Sequence, residues 1–259
     1  MKGRGLWALG LALLAAASNG EPQPRMLMIC SGGVDGAYIE PIAWYSQGRY
    51  REVMVTGSDG KELGQNMRKF CDRYFNTGHR YTLWQGGSPS GQVTVVNCAT
   101  ARELARGLEQ DGSGAYSLEA QVKAPRLRRE VALATNDGNL AARAPRSRPA
   151  NAREAEQFRA RFKTFGEMLV VDLDRQGGVE WVATSAHRLW ITDASGKVRF
   201  QDSVQSSGQI QIMDHLDVDG DGKDELVYKL QAEGGWSYTV LSLKSGQWKK
   251  VFEGAGGGC

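Results

Sequence analysis

Nine residues near the C-terminal end have the types and spacing to bind a hard cation. Asp217-Val218-Asp219-Gly220-Asp221-Gly222-Lys223-Asp224-Glu225 places carboxylates at positions 1, 3, 5 and 9 of one loop. Alternate acids curl around a single point when the chain turns sharply, and Gly222 at position 6 permits that turn. Lys223 at position 7 offers its backbone carbonyl, and Glu225 closes the shell with its carboxylate. Hard oxygen donors in this number suit Ca²⁺ rather than zinc or copper. An EF-hand is excluded, because its twelfth position must be acidic and here is Tyr228. The expected metal ligands are therefore Asp217, Asp219, Asp221, the Lys223 carbonyl and Glu225. The competing reading is an acidic surface turn without metal, in which these carboxylates repel one another with nothing to neutralise them.

The loop recurs. At an offset of 45 residues, Val171-Asp172-Leu173-Asp174 aligns with Leu216-Asp217-Val218-Asp219, Gly177 with Gly222, Glu180 with Glu225 and Val182 with Val227. The earlier copy has Gln176 at position 5, which keeps an oxygen donor and loses a charge, so it is expected to be the weaker site. Each copy continues into a strand and a hairpin with a Ser-Gly turn, Ser195-Gly196 in the first and Ser245-Gly246 in the second. The second copy carries about five extra residues before its turn. An all-β pattern with a period of 40–50 residues is that of propeller blades or similar arrays.

This strand–DxDxDGxxE–strand pattern resembles the FG-GAP/VCBS type repeat of integrin-like β-propellers over residues 167–253. The resemblance implies calcium-stabilised blades with adhesion or ligand-binding roles, and it places ligands at Asp217, Asp219, Asp221, Lys223 and Glu225. Two copies are too few for a closed propeller, which needs at least about four blades. They are expected to form a small sandwich or to pack on the β-rich region that precedes them.

Other chemistry is sought without success. His79, His187 and His215 lack the spaced partners of an HExxH zinc site, and His215 reads as a solvated loop residue. Ser31-Gly32-Gly33 and Gly86-Gly87-Ser88 lack the Lys and following helix of a P-loop. There is no GxSxG elbow and no CxxC pair. Tryptophans at strand positions read as core more readily than as stacking platforms for sugars.

The elements that position the loops follow from pattern. Lys2 and Arg4, an apolar run from Leu6 to Ala17 and the small residues Ala15-Ala16-Ala17-Ser18 form a signal-peptide pattern over 1–20. The run is shorter than the roughly 20 apolar residues a membrane span needs. A secreted or periplasmic protein without a membrane span is expected. Residues 21–135 read as an α+β domain. Met26 to Cys30 is a strand and Ala37 to Val55 a hairpin, in which Pro41 argues for an edge strand. A helix follows, capped by Ser58 or Asp59, with Leu63, Met67, Phe70, Cys71 and Tyr74 on one face. A second hairpin spans His79 to Cys98, Thr100 to Gln110 is a short helix, and two further strands end near Thr135. Residues 136–150 read as a basic Pro/Arg linker, 151–166 as a helix and 167–259 as the repeat pair.

Charge is uneven. Residues 123–163 hold 11 Lys/Arg against 4 Asp/Glu, whereas 164–259 hold 9 against 14. The basic middle reads as a solvated linker and helix face rather than a nucleic-acid surface. Cys30, Cys71, Cys98 and Cys259 allow two disulfides in three connectivities, and one bridge with two free thiols is equally open. Cys71 lies on the apolar helix face, within reach of the sheet carrying Cys98. Together these features predict a mainly β exported protein whose calcium-bearing repeats serve recognition of a partner protein, polysaccharide or surface. The rival is a secreted hydrolase with its site in residues 30–135, marked by a groove with buried acids.

Overall fold

The computed structural model describes residues 24–33, 36–98, 114–116, 118–127, 131–138, 140, 147–205 and 207–254. These are mainly β. The leader pattern, the helix expected over 100–110 and Cys259 lie outside the described residues.

The first half closes into a barrel. Its strands are β1 (Arg25–Gly33), β2 (Gly36–Ser46), β5 (Arg80–Gln85), β6 (Ser88–Asn97), β8 (Ala120–Lys123) and β9 (Val131–Thr135). Their order in space is β1-β9-β5-β6-β8-β2, and β2 also pairs with β1, which removes both sheet edges. The short β3 (Arg49–Glu52) extends the sheet from β2, and β4 (Val55–Gly57) pairs with β7 (Gly114–Tyr116) in a separate ribbon.

Alternation along β1 explains the layering. Met26, Met28 and Cys30 enter one buried cluster with Leu83, Val93 and Val95, while Leu27 and Ile29 enter another. A strand buried on both faces must read as a continuous apolar run, as Met26 to Cys30 does. Helix α1 (Gly60–Tyr74) lays Leu63, Met67 and Cys71 into the first cluster. Its start is fixed by Asp59, whose carboxylate accepts the Glu62 N–H at 2.8 Å. A Cys71–Cys98 disulfide ties the helix to the end of β6, and Cys30 stays a buried free thiol.

Pro41 does not mark an edge. β2 has partners on both sides, and Pro41 sits where its register with β1 slips, with Ala43 opposite Leu27 and Pro41 opposite Met28. A bulge spares the ladder the missing N–H, which is the second place a sheet tolerates proline.

The C-terminal half forms two antiparallel sheets. β10 (Arg148–Pro149), β11 (Glu167–Val171), β12 (Glu180–Thr184), β13 (Arg188–Asp193) and β14 (Val198–Ser203) lie side by side in chain order. So do β15 (Gln209–Leu216), β16 (Glu225–Ala232), β17 (Gly235–Lys244) and β18 (Gln247–Gly254). The two sheets pack face to face through Val182, Ile191, Ile212, Leu226 and Tyr228. The other face of the second sheet, with Met213, Val227 and Val240, meets Leu27, Ile29 and Trp84 of the barrel. The outer face of the first sheet is covered by α2 (Ala152–Phe162), where Phe158 packs on Trp181 and Trp190. Helix, sheet, sheet and barrel thus form one stack. Trp84, Trp181, Trp190 and Trp248 are core, as expected, whereas Trp236 is 39% exposed.

Candidate metal centres

Both acidic loops occupy the same place in their sheets. Residues 172–179 join β11 to β12, and residues 217–224 join β15 to β16. Three hydrogen bonds recur at the 45-residue offset. The Leu173 N–H donates to Glu180 Oε2 and the Val218 N–H to Glu225 Oε2, both at 2.8 Å. The Gly177 N–H donates to Asp172 Oδ2 at 3.0 Å and the Gly222 N–H to Asp217 Oδ2 at 3.1 Å. The Gln176 N–H donates to Asp174 Oδ1 at 2.9 Å and the Asp221 N–H to Asp219 Oδ1 at 3.0 Å. Gly177 and Gly222 both have positive φ, 82° and 87°, which supplies the sharp turn the sequence pattern demands.

Each loop converges its carboxylates. Asp172, Asp174 and Glu180 bring one oxygen each within 4.8 Å of one another, and so do Asp217, Asp219 and Glu225. Either triad can hold a metal ion. Of the five ligands expected from sequence, three meet in this way. Asp221 stands outside the triad, where it accepts the Lys223 N–H at 3.0 Å and faces Lys244 Nζ at 3.2 Å. Gln176, at the equivalent position of the first loop, likewise stands outside the converging triad there.

The loops differ in how their charge is met. Lys244, the last residue of β17, places its ammonium on Asp219 Oδ2 as well as on Asp221. Arg175 comes from the first loop, with Nη1 3.6 Å from Asp217 and Nη2 2.5 Å from the fully buried Asp224. Asp224 is also held by His215 Nδ1 at 2.7 Å, and its N–H donates to the Leu173 carbonyl at 2.8 Å. His215 is thus a fully buried strand residue, not a solvated loop histidine. Its neighbour Asp214 turns toward the barrel and accepts the Gly86 N–H at the tip of the β5–β6 hairpin. Around the first triad, by contrast, no basic side chain is ion-paired among the described residues, and Asp172 Oδ1 is buried without a partner.

Crowding and burial show in the acidities. Burial, then the charges of Asp174 and Asp172, push Glu180 up to about 7. Burial, then Asp219, raises Glu225 well above the usual carboxylate range, and burial also raises Asp172 and Asp217. Lys244 is raised: burial pulls it down, but its hydrogen bonds to Asp219 and Asp221 outweigh that. A hard divalent cation fits this donor set, because it relieves the repulsion and satisfies the orphaned Asp172 oxygen.

Arg175, Lys244, Ser242 and Tyr50 escaped the sequence reading. Ser242 Oγ donates to Glu225 Oε1 at 2.7 Å. Tyr50, from the barrel extension β3, has a buried hydroxyl without a hydrogen-bond partner, and burial and then the Glu225 charge raise its pKa well above normal. Arg25 of β1 donates to the Val218 carbonyl at 2.6 Å. The second loop is therefore approached by side chains from four separate stretches of chain, and only the extra length of β17 before its Ser-Gly turn hinted at one of them.

No protein-family model, curated protein or solved structure matches this chain.

Proposed function

We propose that this is an exported binding protein whose C-terminal sheets are two FG-GAP/VCBS-like blades stabilised by calcium. The observation that carries the reading is the pair of carboxylate triads at a 45-residue offset, built by the same three hydrogen bonds. When bound, calcium supplies charge neutralisation and cross-links loop to strand; it serves the fold and does no chemistry on a substrate. The chain's own residues do the rest: Leu173 and Val218 orient the glutamates through their N–H groups, and Ser242 fixes Glu225. Both triads take part in this reading, because Gln176 replaces an acid that the second triad does not use.

Recognition of a partner or polymer is favoured over hydrolysis by what residues 30–135 contain. Among the described residues there, no three His, Cys, Asp or Glu side chains converge as metal ligands. The cleft in that half is lined by aromatic and basic side chains instead. No described helix is long and apolar enough to cross a membrane.

The test is calorimetric melting and titration of the full chain with Ca²⁺, Mg²⁺ and chelator. Ca²⁺ is expected to raise the melting temperature and Mg²⁺ to substitute poorly, since Mg²⁺ demands tighter octahedral geometry. Binding to the folded state alone stabilises it by about 2.7 kcal/mol at a hundredfold excess over Kd. Equal melting temperatures in Ca²⁺ and chelator, with no heat of binding, would leave two acidic turns and defeat the reading.

A further inference from the structure

We propose that the cleft at one end of the barrel is the ligand site, and that its ligand is an acidic saccharide, a uronate-bearing sugar chain. This names the ligand class for the binding role proposed above and rests on that role. The cleft holds about 400 Å³ and forms where β2 ends, α1 ends and β5 begins. Trp44 and Tyr74 form its aromatic side, with ring centroids 5.0 Å apart, and Tyr81 stands beside them. Arg73, His79 and Arg80 line it and are exposed.

Two features define the chemistry. The first is unmatched positive charge. No carboxylate lines the cleft among the described residues, and neither Arg73, His79 nor Arg80 is ion-paired there. Two arginines converge on one concavity, with forks that match a carboxylate bidentately. The second is the apolar wall. The Arg73 guanidinium carbon lies 5.1 Å from the Tyr74 ring centroid, so the positive charge sits beside the aromatic wall. Rings of this kind stack on the C–H faces of a pyranose, and the adjacent guanidinium groups take its carboxylate.

The alternatives fit less well. Single-stranded nucleic acid requires a basic groove that tracks several phosphates between stacking rings, and two arginines at one concave end do not make a track. An acidic peptide needs no aromatic wall. The mouth of a β-barrel is a usual place for a small polar-and-aromatic site. Tyr81 is held rigidly, because its hydroxyl donates to the Tyr74 carbonyl at the end of α1, so the wall is organised before any ligand arrives.

The experiment is isothermal titration of the full, disulfide-intact chain with trigalacturonate, its methyl ester, a short polyglutamate peptide and an oligothymidylate, each in Ca²⁺ and in chelator. Trigalacturonate is expected to bind, the uncharged ester about tenfold or more weaker. Arg73→Gln and Arg80→Gln should each lose about tenfold, and the double variant should lose binding, with melting temperatures little changed because both side chains are exposed and neither is ion-paired among the described residues. Equal affinity for acid and ester, no effect of the double variant, or preference for the peptide or the oligothymidylate overturns the proposal. A calcium melting shift without saccharide binding sinks this inference alone. Saccharide binding without a calcium shift sinks the calcium reading and leaves the cleft standing.

Discussion

Lys244 and Glu180 mark the two ways a crowded acid site can be held without metal. Lys244 brings a tethered cation to Asp219 and Asp221; its side chain is 38% exposed, so solvent screens much of the attraction. It competes with any cation for the Asp219 oxygen. Lys244→Met should lower the melting temperature in chelator and widen the shift that Ca²⁺ produces, and scanning calorimetry in both media reads this directly. An unchanged calcium shift would mean that Lys244 does not occupy the cation's place. Glu180 has no such partner, and proton uptake is its remaining relief. Its folded-state value of about 7 lies above the ordinary 4.5, so the folded state binds the proton more tightly. The stabilisation is full below about 4.5 and is lost as pH rises through about 7. In chelator the melting temperature should therefore fall across that window, and Glu225, raised in the same direction, adds to the fall. Protons and Ca²⁺ compete for these oxygens, so the calcium shift should grow over the same window. A calcium shift independent of pH between about 5 and 8 would contradict the acidities described here.

At the scale of the elements, the two loops are joined by Arg175. Its φ is 56°, while its counterpart at the 45-residue offset is Gly220 with φ 78°. A non-glycine residue in this region costs on the order of 1 kcal/mol or more. The guanidinium that this backbone launches into the second loop offsets the cost, since it meets the fully buried Asp224. Arg175→Gly relaxes the backbone but leaves Asp224 with His215 alone. Breaking a buried pair costs about 3–5 kcal/mol, so net destabilisation of roughly 2–4 kcal/mol is expected in urea unfolding. A neutral or stabilising outcome would reduce Arg175 to an incidental contact. The elements also show what the sequence could and could not reveal. Asp59 as a helix cap, the helix face of Leu63, Met67 and Cys71, and both loops are written locally, in patterns of three to nine residues. That face put Cys71 within reach of the sheet carrying Cys98, but which cysteines pair was not written locally. Closure of the barrel is not local, because β1 meets both β2 and β9, more than a hundred residues apart along the chain at Leu27↔Thr135. Pro41 misled for a different reason: its tolerance comes from a bulge within the β1–β2 hairpin, and a register slip leaves no mark in the residue pattern. Lys244 and Arg175 likewise escape any local pattern, since they reach the second loop from other stretches of chain and no loop motif encodes them.

For the molecule as a whole, the position of the second sheet decides how far a cation held at the second loop would act. One face meets the first sheet through Leu226 and Tyr228, and the other meets the barrel through Met213, Val227 and Val240. Polar ties reinforce the second contact: Arg25 to the Val218 carbonyl, Gly86 to Asp214, and the Tyr238 hydroxyl to Glu40 at 3.1 Å. A sheet buried on both faces cannot unfold without exposing apolar surface on both neighbours, at roughly 25 cal/mol per Å². The repeats are therefore not an appended module with its own melting transition. Calcium on the second loop should stabilise the barrel as much as the sheets. Differential scanning calorimetry should show one transition that moves as a unit. The fluorescence of Trp84, in the barrel–sheet contact, and of Trp190, under α2, should report the same midpoint in calcium and the same lower midpoint in chelator. Single-tryptophan reporters at these positions separate the signals. The Cys71–Cys98 bridge gives the reciprocal test. It closes a 27-residue separation in the barrel, and its loss removes about 3–4 kcal/mol by the chain-entropy estimate. A Cys71→Ser/Cys98→Ser variant should lower the midpoint at Trp190, on the far side of the intervening sheet, by as much as at Trp84. Two midpoints, with calcium moving only Trp190 and the cysteine substitutions only Trp84, would show that the barrel and the sheets unfold independently despite their shared core.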